Sequence, residues 1–371
     1  MIGAMKRNAF ILSLASMLSA RLSIGCDWDR DTIKAESRLK NEASGRFDIV
    51  AAIVGYFDRN PSLYYQMRLE RMDKESLTSP DKLGLYDDGG VAADRLGKSD
   101  IALQWMQRKK TRMLLLENKA TKDDRYRYYA NLGTIHLHKW LKQPAPFQAR
   151  EELQKAIQAV NAALQVNPEG HFSREIYQLV LLDWLNDHSN DRNVPGPYWI
   201  IDRFFVIASA LQKELKRPND PLAICEGLAG LSILGSAWES PDVFILLTEA
   251  LHAAEKHGIS ELASLRAQEL LQSGRKPFYP SLSDHPDTWR TPKPIKIADR
   301  TTRATTKTTL LEEKDKLKVR QFYDPARKAS EARQIQRTEF MMAKLEKGLH
   351  PDTHADFWNG WVEPQMPKYP D

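Results

Sequence analysis

The spacing of small residues between positions 80 and 113 constrains the fold more than any other feature of this sequence. In this stretch Gly90 and Ala102 fall where two antiparallel helices would touch, and the bulky side chain of Tyr86 precedes them. Small residues let two helices approach closely, and bulky ones fill the space between neighbouring pairs. Gly97 supplies the left-handed conformation that ends a helix. The stretch therefore predicts a helix hairpin.

A second hairpin is predicted over residues 125–168. Gly133 takes the close-contact position of its first helix, and Ala156 and Ala163 take the equivalent positions of the second. The hairpin closes on the hexapeptide ALQVNP, which ends at Pro168. Its two helices are separated by a longer loop than in the first hairpin.

These two hairpins resemble tetratricopeptide repeats. Helical apolar spacing recurs at 48–57, 62–74, 173–184, 200–215, 221–234, 242–257 and 261–273, and convincing strand alternation is absent. The resemblance implies an all-α fold, with residues 48–273 forming a right-handed α-solenoid of stacked hairpins.

Residues 1–25 have the pattern of a secretory signal peptide. A basic pair precedes an apolar run over residues 9–18, and small residues follow it. The run is far shorter than the ~20 residues needed to cross a bilayer. Cleavage after Gly25 would expose Cys26 to lipid attachment, whereas cleavage after Ala20 would not. We expect an exported protein, periplasmic or extracellular, without a transmembrane span in the mature chain; a buried N-terminal helix is the alternative.

The positive charge of the chain is concentrated near its C-terminal end. The net charge is +5, yet residues 286–330 alone contain twelve Lys/Arg and six Asp/Glu, an excess of six. Prolines and a Thr/Arg/Lys-rich run predict a partly disordered linker over 274–327. Residues 328–371 predict a helix followed by an anchored aromatic tail, and a lead-in over 26–47 precedes the repeats.

Several N-terminal motifs resemble those of one group of proteins. They are CDWDRDT at 26–32, GRF at 45–47, NPSLYY at 60–65, MRLER at 67–71, YDD at 86–88 and DRLG at 94–97. These motifs are similar to those of uncharacterised secreted tetratricopeptide proteins from environmental bacteria. The resemblance implies the fold and export, and it implies no particular reaction.

Residues 92–99 (AADRLGKS) match a relaxed phosphate-loop pattern. A phosphate loop needs a preceding strand and a flexible glycine-rich turn. Here the preceding residues are helical and Ala92 replaces the first glycine, so the favoured interpretation is the turn between two helices.

Four side chains that can bind a metal ion cluster near the C-terminus: His350, Asp352, His354 and Asp356. Two histidines four residues apart can share a helix face and bind zinc. Pro351 disfavours a helix there, so a polar helix start is the favoured alternative. His136 and His138 point to different sides of a helix and predict packing or solvent roles. We expect neither a metal nor a cofactor.

Cysteine and catalytic patterns narrow the chemistry further. The only cysteines are Cys26 and Cys225, and Cys225 lies in an apolar stretch that predicts a core position. Asp87 and Asp88 are adjacent, so their carboxylates do not converge on one helix face. No nucleophile–base motif is recognisable, which leaves a hydrolase with an unrecognised site as the minor alternative.

We therefore predict a binding scaffold without catalysis. In stacked hairpins the first helices line a concave groove, which can hold a protein or peptide partner. The candidate lining residues are Tyr86, Asp87, Arg125, Tyr128, Asn131 and Tyr177, and part of Tyr86 and Tyr128 is expected to pack in the core.

The alternative function is an envelope tethering protein that binds an anionic polymer through its basic tail. The residues that would contribute are Arg303, Lys307, Lys316, Lys318 and Arg320. Few aromatic residues are interleaved with these cations, and export also disfavours nucleic acid as the polymer.

Overall fold

The computed structural model describes residues 27–41, 48–170, 174–187, 196–218, 220–235, 237–283 and 311–370. Regular structure within these ranges is helical, which confirms the predicted all-α class. The signal-like segment, Cys26, Arg303 and Lys307 lie outside the described residues, so the predictions made for them stay predictions.

The described residues form thirteen α-helices. They are α1 (Arg30–Asn41), α2 (Ile49–Val54), α3 (Ser62–Thr78), α4 (Gly84–Arg95), α5 (Ser99–Leu116), α6 (Lys122–Leu141), α7 (Arg150–Val166), α8 (Arg174–Asp187), α9 (Gly196–Glu214), α10 (Pro221–Ile233), α11 (Pro241–Ala253), α12 (His257–Gln272) and α13 (Glu313–Leu345). None of these helices is both long enough and apolar enough to span a membrane.

Helices that are neighbours in sequence are mostly neighbours in space. From α3 onward each helix packs against the next, except that α10 packs against α8 rather than α9. Alternate helices also touch, as α4 does with α6. Contacts between alternate helices arise when one hairpin stacks on the next.

The predicted hairpin contacts explain why α4 pairs with α5, and α6 with α7. A Cβ on Gly90 would lie 2.5 Å from Met106 Cε, and one on Gly133 would lie 2.6 Å from Val160 Cγ2. Gly97 adopts a φ of +77° just beyond α4, as the sequence predicts. The other signature residues either are fully buried or follow the end of α7: Ala102, Ala156, Ala163 and Pro168.

Side-chain caps fix several helix starts. The Thr121 hydroxyl accepts from Asp124 N at 3.1 Å, and the Asp124 carboxylate accepts in return from Thr121 N at 3.0 Å. Ser240 caps α11 directly before Pro241, as predicted. Such caps satisfy amides that a helix N-terminus leaves without partners.

The C-terminal helix α13 begins at Glu313, fifteen residues before the predicted start at 328, so part of the predicted linker is helical. The reason is an apolar stripe on one face of its first half: Val319, Phe322, Tyr323 and Ala326 are buried. Pro325 interrupts one backbone hydrogen bond at a cost of about 3 kcal/mol, which burial of this stripe offsets. This helix packs against α12, α2 and α3.

The residues after α13 fold back along it. Phe357 is buried against Phe340, and the Tyr56 hydroxyl donates to the Pro364 carbonyl oxygen at 2.5 Å. The Tyr369 ring meets Phe322 edge-on at 5.1 Å. The aromatic tail is therefore held against the helical body along its length.

Candidate binding cleft

The N-terminal segment, residues 27–32, lies against the first helices of the hairpins. The backbone N–H of Trp28 donates to Asn131 Oδ1 at 2.7 Å, and Asn131 Nδ2 donates to the Trp28 carbonyl oxygen at 2.9 Å. The Trp28 indole donates to Glu175 Oε1 at 2.7 Å, while Arg174 lies 4.2 Å from its ring. Trp28 is fully buried as a result. One asparagine thus holds the main chain at Trp28 through both its donor and its acceptor.

A buried arginine links this segment to the other end of the chain. Arg68 of α3 is fully buried and donates to Asp29 at 2.8 Å, to Asp31 at 2.9 Å and to Asp352 at 2.9 Å. The guanidinium also lies 4.5 Å from the Tyr64 ring centroid. Three carboxylates from two distant segments therefore share one cation.

The pKa values of these three carboxyl groups diverge. Burial and the charge of Asp31 raise the pKa of Asp29 to about 7. Burial alone would also raise the pKa values of Asp31 and Asp352, but Arg68 outweighs it and lowers both. Asp31 and Asp352 therefore stay negatively charged opposite Arg68 at lower pH than Asp29 does.

A second ionic cluster surrounds Asp27. Its carboxylate lies 2.7 Å from Arg95 Nε, and His138 Nδ1 pairs with Asp94. Asp27, Asp94 and His138 place one ligand atom each within 4.8 Å of one another, a spacing that a metal ion can bridge. Burial opposes the charged form of His138, but the Asp94 carboxylate outweighs it and raises the His138 pKa. The Asp27 carboxyl group already pairs with Arg95, and Asp94 already pairs with His138, so each acid of this set has a partner within the chain.

The predicted groove residues are covered by the chain itself, with one exception. Asp87 accepts from Lys109 Nζ at 2.6 Å, and Asn131 holds Trp28. Tyr86, Tyr128 and Tyr177 are buried in the packing between helices, while Arg125 is exposed. Partner binding by these residues stays a prediction, and it would require residues 27–32 to move away from Asn131.

An open cleft lies beside the N-terminal segment. Its volume is about 960 Å³, and its walls come from α1, the loop after α2, the end of α4, residues 233–235 and the chain around the end of α13. Five aspartates contribute to the walls: Asp29, Asp31, Asp58, Asp94 and Asp352. The basic side chains are Lys34, Arg59, Arg95, Lys142 and Arg337. The aromatic rings are Phe57, Tyr64, Tyr65 and Trp358. A volume of this size is typical of a ligand site.

The wall aspartates have partners of their own. Asp58 pairs with Arg333 at 2.7 Å and with Arg337 at 3.2 Å. Asp94 pairs with His138, and the other three are bound in the ionic clusters around Arg68. Each carboxylate of the cleft is therefore paired with a basic side chain of the same protein.

Arg59 differs from the other two arginines of the cleft, Arg95 and Arg337, which pair with Asp27 and Asp58. Its guanidinium lies 4.4 Å from the Trp238 ring centroid and 5.4 Å from that of Phe57. Its Nε is buried without a hydrogen-bond partner, and no ion pair joins its side chain to a carboxylate of the described residues. Burial and the nearby charges of Arg327 and Arg266 lower its pKa to about 10.

Sequence reasoning missed the cleft because no single motif contains it. Its residues come from positions as distant as Asp29 and Trp358, and only the folding of the two ends together places them around one space. The motifs CDWDRDT and NPSLYY, which carry the family resemblance, contribute Asp29, Asp31 and Tyr64 to the walls.

The other predicted motifs have structural partners. The Ala92–Ser99 pattern forms the end of α4 and the turn into α5, as expected. His350 stacks on Tyr64 at 4.5 Å, and Asp352 is bound to arginines rather than to a histidine-based metal set. His136 pairs with Glu152 at 2.6 Å, and Cys225 is fully buried.

Three of the predicted polyanion-binding residues lie on the first half of α13. Lys316 pairs with Glu313 at 2.6 Å, Lys318 with Asp315 at 2.9 Å, and Arg320 lies 3.9 Å from Glu261. Neighbouring acids therefore reduce the positive potential of this surface.

Comparisons with known protein families, with curated proteins and with solved structures found no match to this chain.

Proposed function

We propose that this chain is an exported, tetratricopeptide-like scaffold that binds a protein or peptide partner in the cell envelope or outside the cell. The observation that carries the proposal is the open cleft of about 960 Å³, lined by aromatic and charged side chains. A space of that volume accommodates a few residues of an extended peptide. The partner site is thus the cleft rather than the groove of first helices.

The segment next to the cleft supports a peptide as the ligand. Asn131 holds the main-chain N–H and C=O of Trp28 simultaneously. Main-chain contacts let a protein bind a peptide independently of its sequence, while pockets add specificity. The helical body already makes such contacts with its own main chain at Trp28.

Repeat type and export belong to the same proposal. The close contacts at Gly90 and Gly133 and the stacking of α4 on α6 support a tetratricopeptide-like architecture. The signal-like pattern over residues 1–25 supports export.

Affinity capture from an envelope extract tests the proposal. Lys34→Trp places a bulky ring at the exposed wall of the cleft, and Lys122→Trp places the same ring on the exposed start of α6. We expect Lys34→Trp to lose the captured partner and Lys122→Trp to retain it, with unchanged thermal unfolding of both.

Arg125→Glu tests the groove formed by the first helices of the hairpins. Loss of the partner with Arg125→Glu but not with Lys34→Trp would contradict the cleft assignment.

A further inference from the structure

Three guanidinium groups surround one indole next to the cleft. Arg266 lies 3.8 Å, Arg59 4.4 Å and Arg327 5.1 Å from the Trp238 ring centroid. Glu269 pairs with Arg266 at 2.8 Å and with Arg327 at 2.9 Å. Two of the three cations therefore share the Glu269 carboxylate, and Arg59 does not pair with it.

The other acids near Arg59 are also engaged. Glu331 pairs with Arg327 at 3.2 Å, and Glu239 pairs with Arg275 at 2.8 Å. Arg59 is half-buried and lines the cleft, while its neighbours Arg266 and Arg327 lie outside the cleft lining. A desolvated cation among other cations is unfavourable unless an anion joins it.

Two aromatic rings lie close to the Arg59 guanidinium. Its central carbon lies 4.4 Å over the Trp238 ring, and a contact of this kind does not use the N–H donors at the edge of the planar group. That edge matches the two oxygens of a carboxylate, which it can bind with two parallel hydrogen bonds. Phe57, in the loop after α2, and Trp238 both contact the Arg59 side chain. A ligand that binds Arg59 therefore restricts the conformations of this side chain only a little further.

Charge selects a carboxylate over a phosphate. Five aspartates and five Lys/Arg line the same cleft, so their formal charges balance, and a monoanion disturbs that balance less than a dianion does. A monoanionic carboxylate therefore fits the cleft better than a phosphoryl group does.

We propose that Arg59 binds a carboxylate of the partner peptide, supplied by its free C-terminus or by an Asp or Glu side chain. This inference rests on the proposed peptide-binding function and names the chemistry by which the cleft selects its ligand. Trp358, which is partly exposed at the cleft and lies 5.0 Å from Arg337, offers an apolar contact for the residues next to that carboxylate.

Side-chain NMR of the full chain tests the proposal directly. The Arg59 Nε–H resonance is identified by its absence from Arg59→Lys. N-acetylglycine presents a C-terminal carboxylate, N-acetylaspartate diamide lacks one, and N-acetylaspartic acid α-amide presents a side-chain carboxylate. We expect saturable shifts of the Arg59 resonance with the two carboxylates and none with the neutral diamide. The carboxylate that saturates at lower concentration identifies the source.

A matched control separates site binding from general arginine–anion contact. Arg108 stacks on Trp105 at 4.0 Å, much as Arg59 stacks on Trp238, but it pairs with Asp73 and lies outside the cleft lining. Its resonance should not shift saturably. Absence of a saturable Arg59 shift with either carboxylate, an equal response to the diamide, or tighter binding of inorganic phosphate would each overturn the proposal.

Partner capture distinguishes this inference from the proposed function. If Arg59→Met retains the partner while Lys34→Trp loses it, the carboxylate site is wrong and the cleft remains the partner site. If both variants retain the partner, the cleft assignment itself is wrong.

Discussion

Arg68 is the residue on which the two ends of the chain converge. Its buried guanidinium pairs with Asp29 and Asp31 near the N-terminus and with Asp352 near the C-terminus. Removing one partner of a buried ionic cluster leaves the others uncompensated, whereas an exposed pair contributes little. The buried Arg68 can therefore be compared directly with Arg112, whose partner is exposed.

We expect Arg68→Met to lower the free energy of unfolding by about 3–5 kcal/mol, because three carboxylates lose their shared cation. Arg112→Met is the matched control, since Arg112 pairs with the exposed Asp81 and should cost at most about 1 kcal/mol. Urea unfolding of both variants provides the measurement. Equal costs for the two substitutions would show that the cluster around Arg68 does not hold the ends together.

Asp242 predicts a pH dependence of stability. Burial raises its pKa from 3.8 to about 7 in the folded chain, where its carboxyl accepts from the backbone N–H of Phe278 at 3.0 Å. Between these values the folded state keeps a proton that the unfolded state has lost. The stability contributed by this group is therefore fully present below about pH 4 and is lost as the pH rises through about 7.

We expect Asp242→Asn to reduce the loss of unfolding free energy between about pH 5 and pH 8, because the amide does not ionise. Burial also raises the pKa of Glu249 on the same helix to about 8, so part of the loss should persist. Chemical denaturation at several pH values checks this. An unchanged pH slope would mean that Asp242 does not carry a raised pKa.

At the residue scale, the sequence predicts helix contacts that depend on the size of side chains. It does not reveal contacts that depend on which charged side chains pair. Gly90, Gly133 and the alanines of the two hairpins lie at close helix contacts, because small side chains at fixed spacing have one geometric use. The state of Arg59 could not be predicted. It depends on which carboxylates its neighbours bind, and those neighbours come from distant parts of the chain.

At the scale of elements, the N-terminal half of α13 departs most from the sequence prediction. Its composition is strongly basic and contains a proline, which suggested a linker. The apolar residues on its buried face are few but regularly spaced, and packing against α12 supplies the contacts that composition does not reveal. Tertiary packing therefore outweighs local propensity here.

We expect Phe322→Ala to lower the free energy of unfolding by about 3–5 kcal/mol, because this ring is buried against the helical body. Leu317→Ala on the same helix is the control: Leu317 is 55% exposed and should cost no more than about 0.5 kcal/mol. Thermal and urea unfolding measure both. Similar small costs would indicate that the first half of α13 does not dock.

At the scale of the molecule, Arg68 joins residues 29–31 and Asp352, which are far apart in sequence, to the helical body. Helical periodicity predicted most of the helices and both hairpins, because each depends on residues close in sequence. The cleft depends on contacts such as that between Arg68 and Asp352, which are far apart in sequence. Periodicity carries no information on such pairings, so the site could not be predicted from it.

The central claim is that a partner occupies the cleft and not the groove of first helices. Site-specific photo-crosslinking tests it most directly, with a photoreactive residue at Lys34 on the cleft wall or at Arg125 on the exposed face of α6. The account predicts a partner adduct at position 34, lost when Arg59→Met is added, and none at position 125. An adduct at 125 without one at 34 would contradict it.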